Sequence, residues 1–178
     1  MCSSDLSSKL LEGNRYWRIP VMEGEFLVQE TFGVQKAIGG GNFLILAEDE
    51  HAALLAAEAA VESMRKVRCV VLPFPGGIVR SGSKVGAKRY KNMMASTNDA
   101  YCPTLRGRKG VKSALPEGVN SVLEIVVNGL ERAAIEEALR VGIESACLPG
   151  VIEISAGNYG GKLGKHHVHL RALFDSAS

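Results

Sequence analysis

An α+β sandwich, one antiparallel sheet carrying two helices on a single face, is the fold class this sequence predicts. Three observations point to it. Short apolar runs of strand character alternate with two longer helical segments, in the order strand, helix, strand, strand, helix, strand. Each helical segment has a one-sided apolar stripe and therefore one face to bury. At 178 residues, with 46% apolar and 22% charged side chains, the chain is long enough to close a core over such a sheet.

The elements follow in chain order. Residues 1–14 show no periodicity and read as a non-native or disordered lead. Tyr16 to Val21 and Glu25 to Thr31 read as two short strands around a Glu23-Gly24 turn, with Val34 to Ile38 continuing the pairing. Gly39-Gly40-Gly41 leads into a buried strand over 42–46. Glu48-Asp49-Glu50 opens a helix to Lys66, acids first and bases last, with Leu54, Ala57, Val61 and Met64 on one face. Residues 69–72 form a short strand that Pro73-Phe74-Pro75 breaks, and 78–118 are irregular. Ser121 to Val127 is a strand. Asn128 and Glu131 have capping-box spacing for a helix to Cys147, whose stripe is Ile135, Leu139, Ile143 and Ala146. A strand over 151–155, a glycine loop over 156–164 and a last strand over 165–171 complete the chain. The well-marked elements spell βαββαβ, which two right-handed split βαβ units fold into the ferredoxin-like sandwich. Many unrelated activities share that arrangement.

Several function classes drop out. No apolar run approaches the ~20 residues that span a bilayer, and no charged-then-apolar leader is present, so no membrane and a cytoplasmic location are expected. Cys2, Cys69, Cys102 and Cys147 are far apart, and His166, His167 and His169 have no cysteine or acid beside them, so no metal is expected. The phosphate-binding Gly-x-x-x-x-Gly-Lys-Ser/Thr spacing is missing. Nucleic acid is not expected either: an RNA-binding sheet stacks bases on aromatic side chains, and 42–46 with 121–127 offer only Phe43.

What remains is polar chemistry. Net charge is +2, yet residues 80–112 hold nine cations against Asp99 alone, a local +8 that is either a solvated loop or a site for an anionic partner. Within it, Gly76 to Gly86 brings backbone N–H groups together with Ser81, Ser83 and Lys84, a set suited to a carboxylate or phosphate, and Lys88 adds charge. Thr97 and Asn98 lie in a polar, nearly uncharged patch that reads equally as a pair of side-chain-capped turns. Asn158, Tyr159 and Lys162 put an amide, a ring and an amine on a glycine loop at a strand end. Glu124 sits in Val-Leu-Glu-Ile-Val-Val, apolar on both sides. It is either a desolvated acid able to donate a proton or an edge residue satisfied by water or an arginine.

Together these segments resemble the formylmethanofuran:tetrahydromethanopterin formyltransferases of methanogenic archaea and of methylotrophic bacteria, where the protein is a subunit of the formyltransferase/hydrolase complex. The matching stretches are 16–26, 39–46, Pro-Phe-Pro-Gly-Gly-Ile-Val-Arg-Ser-Gly-Ser-Lys-Val-Gly (73–86), Ala-Ser-Thr-Asn-Asp-Ala-Tyr-Cys-Pro-Thr-Leu (95–105), 123–130 and Ile-Ser-Ala-Gly-Asn-Tyr-Gly-Gly-Lys-Leu-Gly (154–164). The resemblance implies a chain of two ferredoxin-like lobes, with this sequence holding the end of the first in 15–38 and the C-terminal lobe in 39–174. It implies an active site at a subunit interface of a homo-oligomer, with no permanently bound cofactor. Methanofuran and tetrahydromethanopterin are the carrier substrates, the formyl group passing to N5 of the latter. Glu124 is then the expected general acid, and Ser81, Ser83, Lys84, Lys88, Thr97, Asn98, Asn158, Tyr159 and Lys162 the expected substrate-binding set. The alternative is a stand-alone ferredoxin-like module that binds a small molecule, or regulates, without catalysis.

Overall fold

A computed structural model describes residues 7–80, 82–87, 92–93, 95–157 and 164–175. The chain divides into two compact units, residues 1–36 and 37–178.

The first unit is a three-stranded antiparallel sheet of β1 (Ser7–Leu11), β2 (Asn14–Val21) and β3 (Gly24–Gln29), in that order. Glu12 (φ 49°) and Gly13 (φ 82°) form a two-residue turn with both residues left-handed, the geometry whose twist matches a tight hairpin. Residues 1–14 therefore hold a strand where the sequence showed none. Leu10 and Leu11 pair with Arg15 and Asn14, so the strand depends on its partner more than on its own pattern. Val34 to Ile38 do not continue this pairing as expected: residues 31–37 are irregular, and Ile38 pairs with Gly129 in the second unit.

The second unit is an α+β layer structure. Its main sheet runs β10 (Val151–Ser155), β4 (Ile38–Ala47), β9 (Ser121–Gly129), β5 (Val70–Val71), all antiparallel, with β6 (Ile78–Val79) also pairing β9. Helices α1 (Glu50–Met64) and α2 (Arg132–Ala146) share one core with Phe43, Ile45, Leu123, Ile125 and Val127 of β4 and β9. Those strand residues alternate, as the two-residue pleat requires. β7 (Ser83–Val85) and β8 (Ala95–Thr97) make a separate two-stranded ribbon, and α3 (Ala172–Asp175) ends the described chain.

Asp49 Oδ1 accepts the Ala52 N–H at 2.8 Å and so starts α1. The buried face of α1 is mostly alanine, with Val61 and Met64, whereas Leu54 is 44% exposed rather than inside. Small residues let α2 come close. Gly142 has no room for a side chain: a Cβ there would lie 2.6 Å from Met64 Sδ, and Ser63 and Ser145 share a hydrogen bond of 2.6 Å across the two helices. The apolar stripe expected of α2 is buried throughout.

Two local expectations fail. Asn128 does not cap α2: β9 continues through it, and its Oδ1 accepts from Gly40 N–H at 2.8 Å, a partner far away in sequence. Glu131 stands at the cap position without a side-chain bond. Residues 165–171 form no strand, and Arg132 reaches the His167 carbonyl at 3.2 Å instead. Among the described residues no helix is long and apolar enough to cross a membrane.

Candidate functional site

On β9 the side chains next to the core-facing Leu123, Ile125 and Val127 turn to the opposite side of the sheet. Val122 there joins Leu44, Leu46, Val119, Tyr101 and Leu115 in a second, smaller apolar cluster. Glu124 shares this face. It is opposite Leu44 on β4 and Val79 on β6, is only 8% exposed, and is the one buried charged residue among those described. A strand central in the sheet thus delivers a carboxyl into a largely apolar wall, as its neighbours in sequence suggested.

What surrounds the carboxyl is the irregular stretch after β6. Gly82 approaches so closely that a Cβ on it would stand 3.3 Å from Glu124 Oε2. Asn98 N–H donates to the Gly82 carbonyl at 2.9 Å, and Thr97 pairs with Ser83 in the ribbon, so the ribbon fixes that approach. Asn42 Nδ2 donates to the other oxygen, Oε1, at 2.5 Å.

Glu124 and Val79 form part of the wall of two cavities. One is a small, mainly apolar pocket of about 80 Å³ that includes Leu44, Arg80, Gly82, Thr97, Asn98 and Tyr101. That is room for a few waters or a group the size of a formyl. The other is a groove of about 1290 Å³ whose lining includes Gly39 to Asn42, Glu153 to Gly157 and Lys165 to Arg171. His166, His167 and His169 line this groove and are exposed, and no three potential ligand side chains converge on a metal position among the described residues.

The structure gathers Glu124, Thr97 and Asn98 at one pocket. Lys84 lies outside its lining, and its ammonium makes an ion pair with Asp99, both side chains being largely buried. Arg106, counted with the local positive charge, donates to the Val119 carbonyl at 2.7 Å and holds the loop. Part of that charge is thus spoken for by the fold. Ser83 contributes its backbone to β7, while Ser81, Lys88, Asn158, Tyr159 and Lys162 fall outside the described residues. Arg80 was counted only as part of the local positive charge and Tyr101 only as part of the polar patch, and Asn42 was not named as a site residue. The available signal was the lone amide at the start of the apolar run 42–47, two residues before the position paired with Glu124.

Residues 24–173 match the family model described as FTR, proximal lobe. A formylmethanofuran–tetrahydromethanopterin formyltransferase of Methylococcus capsulatus is 59% identical over 170 residues, covering 93% of this chain and 56% of that protein. The solved formyltransferase of Methanosarcina barkeri aligns with a TM-score of 0.76 at 44% identity, over 96% of this chain and 57% of that one. A chain of the formyltransferase/hydrolase complex FhcABCD of Methylorubrum extorquens, solved with methylofuran, gives 0.73 at 51% identity, over 95% and 57%. The chain spans about half the length of the relatives it matches.

Proposed function

This chain belongs to the FTR proximal-lobe family, and from that premise we propose that it carries the catalytic acid of an N-formyltransferase. The substrates are a formylated furan carrier of the methanofuran type and a tetrahydropterin of the tetrahydromethanopterin type, the molecules after which its relatives are named. The strand order β10-β4-β9-β5 with both helices in one core supports reading the second unit as a ferredoxin-like lobe. The reading includes a cytoplasmic assembly, either a homo-oligomer or a complex like that of the Methylorubrum relative.

The observation that carries the proposal is the position of Glu124 in a wall shared by a formyl-sized pocket and a long groove. Transfer requires attack of the pterin N5 on the formyl carbon, loss of the furan-carrier amine, and a proton for that amine. Glu124 Oε2 gives the proton as the old C–N bond breaks. The resulting carboxylate takes the N5 proton of the new amide, which restores the acid. Backbone N–H groups of the 80–86 loop, with Ser81 and Ser83, are suited to the oxyanion of the tetrahedral intermediate. Lys88, Asn158, Tyr159 and Lys162 complete the proposed substrate-binding set beside Thr97 and Asn98. Lys84 acts there through its Asp99 ion pair, which stiffens the ribbon.

The experiment follows an isotopically labelled formyl group from furan carrier to pterin. Glu124→Gln keeps shape and polarity without a transferable proton and should lower kcat by ~10² to 10⁴, with carrier affinity nearly unchanged. Carrier binding with no transfer by the unsubstituted protein would instead favour the non-catalytic binding module.

A further inference from the structure

The hydrogen bond from Asn42 leaves one oxygen of Glu124 tied and the other beside Gly82, which lines the small pocket, an asymmetry that the acid role alone does not use. Asn42 Nδ2 donates to Oε1 at 2.5 Å, and among the described residues no other group hydrogen-bonds this carboxyl. Oε2 is the oxygen beside Gly82. An amide NH₂ donates and cannot accept, and the carbonyl oxygen of a carboxylic acid accepts better than its hydroxyl, so this bond favours Oε1 as the carbonyl oxygen and the proton on Oε2.

We infer that Asn42 is a positioning residue for formyl transfer: its amide holds Oε1 so that the transferable proton resides on Oε2, at the pocket. The inference rests on the acid role proposed above for Glu124.

The fold places Asn42 with unusual care. On β4 it pairs with Val126, while Leu44 pairs with Glu124, so Asn42 and Glu124 are diagonal neighbours on one face of the sheet. That register is set just upstream, where the ladder shifts between Ile38 and Gly41. Gly40 is left-handed there (φ 84°) and its N–H is fixed by Asn128 Oδ1. At Gly41 a Cβ would lie 3.0 Å from Ile135 Cγ2 and 3.2 Å from Val127 Cγ1, so the strand is pressed against α2 and β9 at that point. A one-residue slip would turn Asn42 to the helix side and remove its bond to Glu124.

The test is a double-mutant cycle on formyl transfer by the full polypeptide, with melting temperatures recorded for every variant. Asn42→Ala should lower kcat by ~10- to 100-fold with KM within about twofold, because the proton donor is misplaced while substrate contacts remain. In a Glu124→Gln background the same change should cost nothing further, since a residue acting through Glu124 has nothing left to act on. Asn42→Asp matches the shape but presents an acceptor, and it should not rescue. The unsubstituted protein supplies a check that needs no variant of Asn42: its side-chain amide proton, read by NMR, should lie far downfield and move on Glu124→Gln. Full activity in Asn42→Asp, multiplicative loss in the double variant, or an unshifted amide signal would each overturn the inference. If Glu124→Gln keeps normal kcat, the acid reading itself fails and this inference with it. If Glu124→Gln collapses while Asn42→Ala stays normal, only the inference falls.

Discussion

The two faces of the β4–β9 pair differ in what covers them. On one, Phe43, Ile45, Leu123, Ile125 and Val127 meet two regular helices in a wholly apolar core. On the other, Leu44, Val122 and the buried Glu124 meet an irregular stretch with two short strands and single 3₁₀ turns, and Asn42 bonds the Glu124 carboxyl. Adjacent residues of one strand therefore live under different rules. Helices satisfy their own backbone and offer a smooth apolar surface, which suits stability. Irregular chain brings backbone N–H groups and short polar side chains close to a ligand, which suits chemistry.

Breaking the helix side should cost stability in proportion to what is removed. Phe43→Ala takes away the largest fully buried side chain in contact with Gly142 and Ile125's layer, and should cost ~3 to 5 kcal/mol in denaturant unfolding. Gly142→Ala forces a methyl against Met64 and should cost ~1 to 3 kcal/mol by overpacking, again with transfer chemistry intact in the folded protein. Asp49→Ala removes the bond to the Ala52 N–H and should cost ~1 kcal/mol.

The smallest effect lies on the outer surface of α2, where the Arg140 guanidinium holds the Glu137 carboxyl below its usual value of 4.5, mainly through their hydrogen bond. A carboxyl lowered in the folded state adds stability above 4.5, and that share is lost as pH falls through the folded value. The unsubstituted protein should therefore lose slightly more stability than Glu137→Gln as pH falls below 4.5, a difference that salt should reduce. Matching thermal melts over that range check it.

This contrast also explains which parts were legible in the sequence. The stripe Ile135, Leu139, Ile143, Ala146 and the strand over 151–155 depend on local periodicity, and both were readable. In α1 the apolar pattern was ambiguous because alanine is at home inside or outside. The close approach at Gly142 turned the alanines inward and left Leu54 out. Asn128 carried a valid capping signal that a distant backbone group, Gly40 N–H, outcompeted. Residues 7–11 became a strand only through their partner. On the site face, Glu124 stood out as a charge in an apolar run, but its direction did not, since both neighbours are apolar. Asn42 stayed hidden for a related reason: its place beside Glu124 follows from a register shift between Ile38 and Gly41 that no local pattern announces.

The most direct measurement of the central claim puts neighbours on opposite faces side by side, with kcat for formyl transfer and unfolding free energy determined for Glu124→Gln and Ile125→Ala in the same polypeptide. Ile125 is fully buried against the helices and Glu124 faces the pocket. The account predicts that Glu124→Gln loses ~10² to 10⁴ in kcat with stability within ~1 kcal/mol of the unsubstituted protein. It predicts that Ile125→Ala loses ~2 to 5 kcal/mol while its folded fraction turns over within a few-fold of normal. Near-normal kcat with a large loss of stability in Glu124→Gln would contradict it, assigning the carboxyl to the fold and the proton to another group.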